Sequence, residues 1–229
     1  PAFGFSPQVT NRQSQSIYTA GYGRSVFWDG RAEGEFRDPL TDSVVAPYGA
    51  ALETQSLAPV LSTVEMSHEG RTWRQVIEKL QRVQPMVLAA NLPPDMAQAI
   101  AGGSVGYSDL FAAAFGSSEI TPVRIAFAIA TYERTLVPNQ TPWDFFIAGQ
   151  TGALTPNQQV GWNAFNSKVL RCAQCHAPPL FSDNSFRNIG LRPVTEDVGR
   201  QAVTGRFSDR GRFKVPSLRN VALRPNLFH

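Results

Sequence analysis

The chain has 229 residues, a mass of 25.1 kDa and a formal net charge of +3. Apolar residues make up 42% and charged residues 17%, which excludes intrinsic disorder and supplies a core for one large domain or two small ones. No run of about 18 apolar residues occurs, so no membrane span is expected, and neither the small charge nor any Lys/Arg run points to nucleic acid.

Residues 1–70 read as loop-rich, with Gly, Ser, Pro and polar residues and few periodic stretches. Gly and Pro, at 18 and 17 residues, exceed average use, so long ordered loops are expected. The first helix is predicted over 71–83, with Trp73, Val76, Ile77 and Leu80 on one face. Short helices follow over 94–101, opened by Pro94, and 107–115, with Leu110, Phe111 and Phe115 inward. The clearest helix spans 122–136 behind Thr121-Pro122; its stripe of Ile125, Ala128, Ile129, Tyr132 and Leu136 is assigned to core packing. Pro138 and Pro142 mark a boundary. Thr155-Pro156, an N-cap and N1 pair, opens a helix over 155–168 with Val160, Ala164 and Phe165 at helical spacing. Strand signals are few, and the class is mainly α. Pro1 follows no initiator Met or signal segment, and His229 ends the chain without a polar tail. The expectation is therefore the middle of a longer, processed protein.

Two cysteines are present, and they read Cys172-Ala173-Gln174-Cys175-His176. This is CxxCH, the signature of c-type haem attachment. Two thiols at this spacing can add across the two vinyl groups of one haem, and the next residue is placed to give a ring nitrogen to iron. Three other readings stay open. A Cys172–Cys175 disulfide would close a tight, strained loop. A thioredoxin-type pair needs a βαβ context that is not visible. A zinc site needs further ligands, and only His68 and His229 remain besides His176. A c-type haem implies assembly outside the cytoplasm, in a bacterial periplasm.

Several strings occur in a fixed order: FWDGR (27–31), VEM (64–66), ITPVRIAFAIATYERTLV (120–137), CAQCH and GRFKVPSLRNVAL (211–223). Together they resemble the bacterial di-haem cytochrome c peroxidase family, which includes MauG-like enzymes. The resemblance implies two cytochrome-c-like haem domains, here 1–139 (peroxidatic, truncated at its start) and 140–229 (electron-transfer, truncated at its end). CAQCH then belongs to the electron-transfer haem, and the first CxxCH falls upstream of Pro1. The second ligand of the C-terminal haem falls beyond His229, which itself matches a haem-pocket His. The resemblance places the catalytic Glu at Glu65 and a peroxide-orienting Gln at Gln55, and it puts Trp28 between the two haems. Read alone, Glu65 is a solvated loop carboxylate and Trp28 a core residue.

The chain departs from that pattern in three places. Extra residues lie around Glu35 to Ala50, a surface loop suited to a partner. The positions of an inter-haem calcium Asn and Thr hold Gln13 and Arg224, which makes calcium doubtful. A distal His position holds Phe5, which cannot ligate iron, so the N-terminal haem is expected to be open to peroxide without prior reduction. The resemblance implies a periplasmic enzyme that reduces hydrogen peroxide to water. Its electrons would come from a small cytochrome c or cupredoxin, and a homodimer is compatible. The alternatives are a MauG-like enzyme that oxidises a partner protein and a non-enzymatic electron-transfer cytochrome.

Overall fold

Threonine caps start four of the helices. Thr72, Thr121, Thr141 and Thr155 each accept a hydrogen bond from the backbone N–H three residues on, and Pro122, Pro142 and Pro156 occupy the first helical position behind their caps. Each such cap contributes about 1 kcal/mol. The structure, a computed structural model, describes residues 9–101 and 105–224. Its helices are α1 (Ala51–Leu61), α2 (Trp73–Leu80), α3 (Pro94–Ala99), α4 (Tyr107–Phe115), α5 (Pro122–Arg134), α6 (Pro142–Ile147), α7 (Pro156–Phe165) and α8 (Gln201–Thr204). The chain is mainly α, as its patterning implies. Among the described residues no helix is long and apolar enough to cross a membrane.

The expected helices lie where the periodicity puts them, with trimmed ends. The helix predicted over 155–168 stops at Phe165, and a turn carries the chain on to Cys172. Helix α1 is an element that the loop-rich reading of 1–70 does not name. Its N-cap, Ala50, has no capping side chain. Its buried face mixes Leu52 and Leu57 with Glu53 and Ser56, and Pro59 lies inside its last turns. Polar residues on the buried side hide the apolar period, and an internal Pro argues against a helix.

The apolar stripe expected for α5 is corrected. Ile125 is buried, but Ala128 and Ile129 are exposed and Tyr132 is 63% exposed. The buried row is Pro122, Ala126 and Ala130 instead, and both alanines are fully buried. Small side chains let α5 pack closely on α1, and the next residue of that row, Arg134, reaches Glu53 through two hydrogen bonds of 2.7 and 2.9 Å. Close approach and an ion pair, rather than bulk hydrophobicity, set the rotation of this helix. Ala130→Leu should therefore cost about 1–3 kcal/mol by overpacking, read as a lower urea midpoint, whereas Ile129→Ala should change it little.

The core is formed by Phe36, Leu57, Trp73, Val76, Phe111 and Ile125 with their neighbours. Phe36 arrives from a hairpin, β1 (Phe36–Arg37) against antiparallel β2 (Val44–Ala46). The extra residues around Glu35 to Ala50 are thus anchored at the base, while Leu40, Val44 and Tyr48 are exposed. A second antiparallel pair, β3 (Phe186–Arg187) and β4 (Phe213–Lys214), matches Phe186 with Lys214 and Arg187 with Phe213.

Candidate functional site

The CAQCH segment forms a tight turn. The Cys175 and His176 amides both donate to the Cys172 carbonyl, at 3.3 and 3.0 Å. Arg171, in the left-handed region at φ 58°, enters it. Downstream, the Asp183 amide returns to the Cys175 carbonyl at 2.8 Å. The His176 ring places Nδ1 3.1 Å from the Phe181 carbonyl. A carbonyl only accepts, so Nδ1 carries the proton and Nε2 keeps its lone pair, the arrangement found in metal-binding histidines.

A strap closes the other side. The chain from β4 onward is stitched to the 180–185 loop: the Val215 amide donates to Ser185 O, Ser182 Oγ to Val215 O and Ser217 Oγ to Leu180 O. Turn and strap together enclose a largely apolar cleft of about 540 Å³, lined by Cys172, Cys175, His176, Trp28, Phe213 and Leu218 among others. That volume suits a large planar cofactor.

Trp28 is 7% exposed. Its indole N–H donates to Gln13 O at 2.7 Å, and its own carbonyl accepts from the Lys214 amide at 2.7 Å. The surrounding FWDGR string is held by charge. Asp29 accepts from Arg12 and Arg31, and Arg12 also forms a two-pronged pair with Asp197 at 2.7 Å on each prong. Gly30 has φ +72°, and a Cβ there would collide with Phe186 and the Arg200 guanidinium; only Gly fits this crossing.

Trp28, Cys172, Cys175 and His176 are thus brought to one cleft. Gln55 and Glu65 are not part of it. Gln55 is half-buried on α1, and Glu65 is exposed in the turn after that helix, with its amide on Ser62 O at 3.2 Å. Phe5 and His229 lie outside the described residues. Arg219 was not singled out from the sequence. It is 6% exposed at its side chain, and it joins the Pro179 and Pro138 carbonyls to both oxygens of Asp144, at 2.9 and 3.0 Å. Its guanidinium also faces the rings of Trp143 and Phe181. The Arg219 guanidinium, helped by Thr141, holds the Asp144 carboxyl well below the usual carboxylate range. Arg219 lies within the GRFKVPSLRNVAL string, but no local spacing reveals a partner 75 residues away.

The residues fit a haem: two free thiols, an imidazole with one nitrogen tied back, and an apolar slot. They do not fit calcium. The Gln13 carbonyl takes the Trp28 indole, and Arg224 Nη2 stands 2.6 Å from the Ser14 carbonyl, bringing a fixed cation to the place. Among the described residues no group of three or more His, Cys, Asp or Glu gathers to hold a metal ion.

The family model described as di-haem cytochrome c peroxidase matches residues 2–152. The chain belongs to the di-haem cytochrome c peroxidase family. Within it, the chain is similar to the methylamine utilization protein MauG of Methylophilus methylotrophus, 29% identical over 93% of this chain and 51% of that protein. It is also similar to the cytochrome c551 peroxidase of Nitrosomonas europaea, 30% identical over 93% of this chain and 52% of the relative. With the cytochrome c peroxidase Ccp of Escherichia coli K12 it shares 28% identity over 100% and 41%. The chain therefore spans about half the length of these relatives. A crystal structure of a MauG-like protein associated with microbial copper homeostasis has the same fold, with a TM-score of 0.67 at 23% identity over 96% of this chain and 58% of that one.

Proposed function

We propose that the chain binds one haem c, with thioether bonds from Cys172 and Cys175 and with His176 Nε2 as an iron ligand. In this reading it is part of a di-haem enzyme that reduces hydrogen peroxide to water. The observation that carries the reading is the meeting of both thiols, the tied-back imidazole and Trp28 on a single apolar cleft. The boundary at 139/140 is supported by the distribution of apolar contacts. The core cluster draws on residues between Phe36 and Ala126, whereas Trp143, Trp162, Phe165 and Phe181 form a separate aromatic group.

Haem held at Cys172 and Cys175 would supply reversible one-electron transfer, and the second haem of such an enzyme would supply the coordination site for a peroxide oxygen. The rest falls to side chains. Phe181 O fixes the His176 tautomer and ring plane. Trp28, dry and pinned at both ends of its residue, lines the path between the cleft and the N-terminal half. Glu65 takes a proton from one peroxide oxygen and returns it to the leaving oxygen, and the Gln55 amide orients the substrate. Two electrons and two protons convert each peroxide into two waters. The electrons come singly from a small cytochrome c or cupredoxin, and covalent haem attachment supports a periplasmic setting.

A second reading, oxidation of a partner protein, is favoured by one observation: relatives named MauG match as closely as those named peroxidase. Full-length protein mixed with peroxide and reduced cytochrome c separates the two. The peroxidase reading expects steady donor oxidation at two electrons per peroxide. Peroxide consumption without sustained donor oxidation would favour the second.

A further inference from the structure

Two donors on the cleft wall are left without acceptors. Gln15 Nε2 is buried and has no hydrogen-bond partner. Among the described residues the half-buried Lys214 ammonium has no hydrogen-bond or ion-pair partner either. Both residues line the cleft that Cys172, Cys175 and His176 line, and both line a small side cavity of about 40 Å³ beneath Thr19 and Ser182. The neighbouring cations of the cleft are engaged: Arg187 with Asp183, Arg192 with Glu196 and Arg224 with Ser14 O. Lys214 is held in place by its β4 pairing and by its amide on Trp28 O.

An unmet buried donor such as Gln15 Nε2 costs about 1–3 kcal/mol and is rare in native proteins, and Lys214 adds a cation to the lining of the same two cavities. A cation and an amide N–H₂ together match an acceptor-only group with two oxygens and one negative charge, a carboxylate. Haem carries two carboxylates, on side chains distinct from the vinyl groups that cysteines capture. We propose that Lys214 and Gln15 form a carboxylate subsite that holds a haem propionate. The assignment rests on the haem reading above. Burial by itself pushes the Lys214 ammonium down from its ordinary value, and a facing carboxylate would offset that.

The test uses full-length, haem-loaded protein, with the pyridine haemochrome assay counting haem. Midpoint potential and the resonance Raman propionate band are compared for wild type, Lys214→Met, Lys214→Arg and Gln15→Leu. Covalent attachment keeps haem content equal. Lys214→Met should lower the midpoint potential, because an uncompensated carboxylate favours ferric iron, and should shift the propionate band. Lys214→Arg should restore most of both, and Gln15→Leu should shift the band with a smaller change in potential. The Gln15 variant, away from β4, still decides the matter if Lys214→Met does not fold. Unchanged potential and band at equal haem content would overturn the subsite and leave the haem reading standing. Wild-type protein without attached haem would overturn both. A wild-type potential that responds to added acetate would mean that the site takes a free anion, against the propionate assignment.

Discussion

Glu65→Gln should reduce peroxide turnover by about 10²–10⁴-fold in the full-length protein while leaving haem content and folding unchanged. Folding should be spared because Glu65 is exposed and its side chain makes no hydrogen bond or ion pair among the described residues. What the substitution removes is the ability to accept and return a proton; shape and size are kept. A purely solvated loop carboxylate would show no such loss. Gln55→Leu should reduce turnover less, since it removes orientation but not proton transfer. If Glu65→Gln turns over peroxide at the wild-type rate, the catalytic assignment fails even if haem is bound.

Arg219→Leu is expected to cost about 3–5 kcal/mol, nearer the lower figure because Asp144 keeps some contact with water. The variant leaves the Asp144 carboxylate without its cation, with only the Thr141 amide and hydroxyl as donors, and strands the two backbone carbonyls that the guanidinium now satisfies. It also releases Pro179, two residues before the carbonyl that accepts from His176. Urea denaturation of wild type and variant measures the loss. The acid limb checks the same pair. The Asp144 carboxyl is depressed in the folded state, so the stability it confers is complete above the ordinary carboxylate value near 3.9 and is lost as pH falls toward the folded value. The gap between wild type and Asp144→Asn should be wide at neutral pH and shrink below about pH 4. A gap that widens in acid would contradict the pairing.

Legibility in the sequence tracked how local each signal is. Thr-Pro pairs at 121–122 and 155–156 carry their caps within four residues, and the expected helices start at both; the pair at 141–142, read only as a boundary, also starts a helix, α6. CAQCH is equally local, so its turn could be anticipated. Helix α1 could not, because its buried face includes Glu53, whose partner Arg134 lies 81 residues away. The α5 stripe misled for a related reason: Ala126 and Ala130 carry little hydrophobic weight, yet their small size is what lets α1 approach. Arg219, Lys214 and Gln15 matter through contacts between distant segments, which periodicity does not record. Glu65 and Gln55 came from resemblance to the family, and the structure leaves them apart from the cleft.

Everything proposed for the cleft depends on haem carried by Cys172 and Cys175. The most direct measurement is the intact mass, with a pyridine haemochrome spectrum, of protein matured with a c-type haem attachment system, beside a Cys172→Ala/Cys175→Ala variant. A c-type band and a covalent haem increment are expected in the wild type, with the increment at these two cysteines lost in the variant. A wild-type mass equal to the bare polypeptide, with no c-type band, would contradict it.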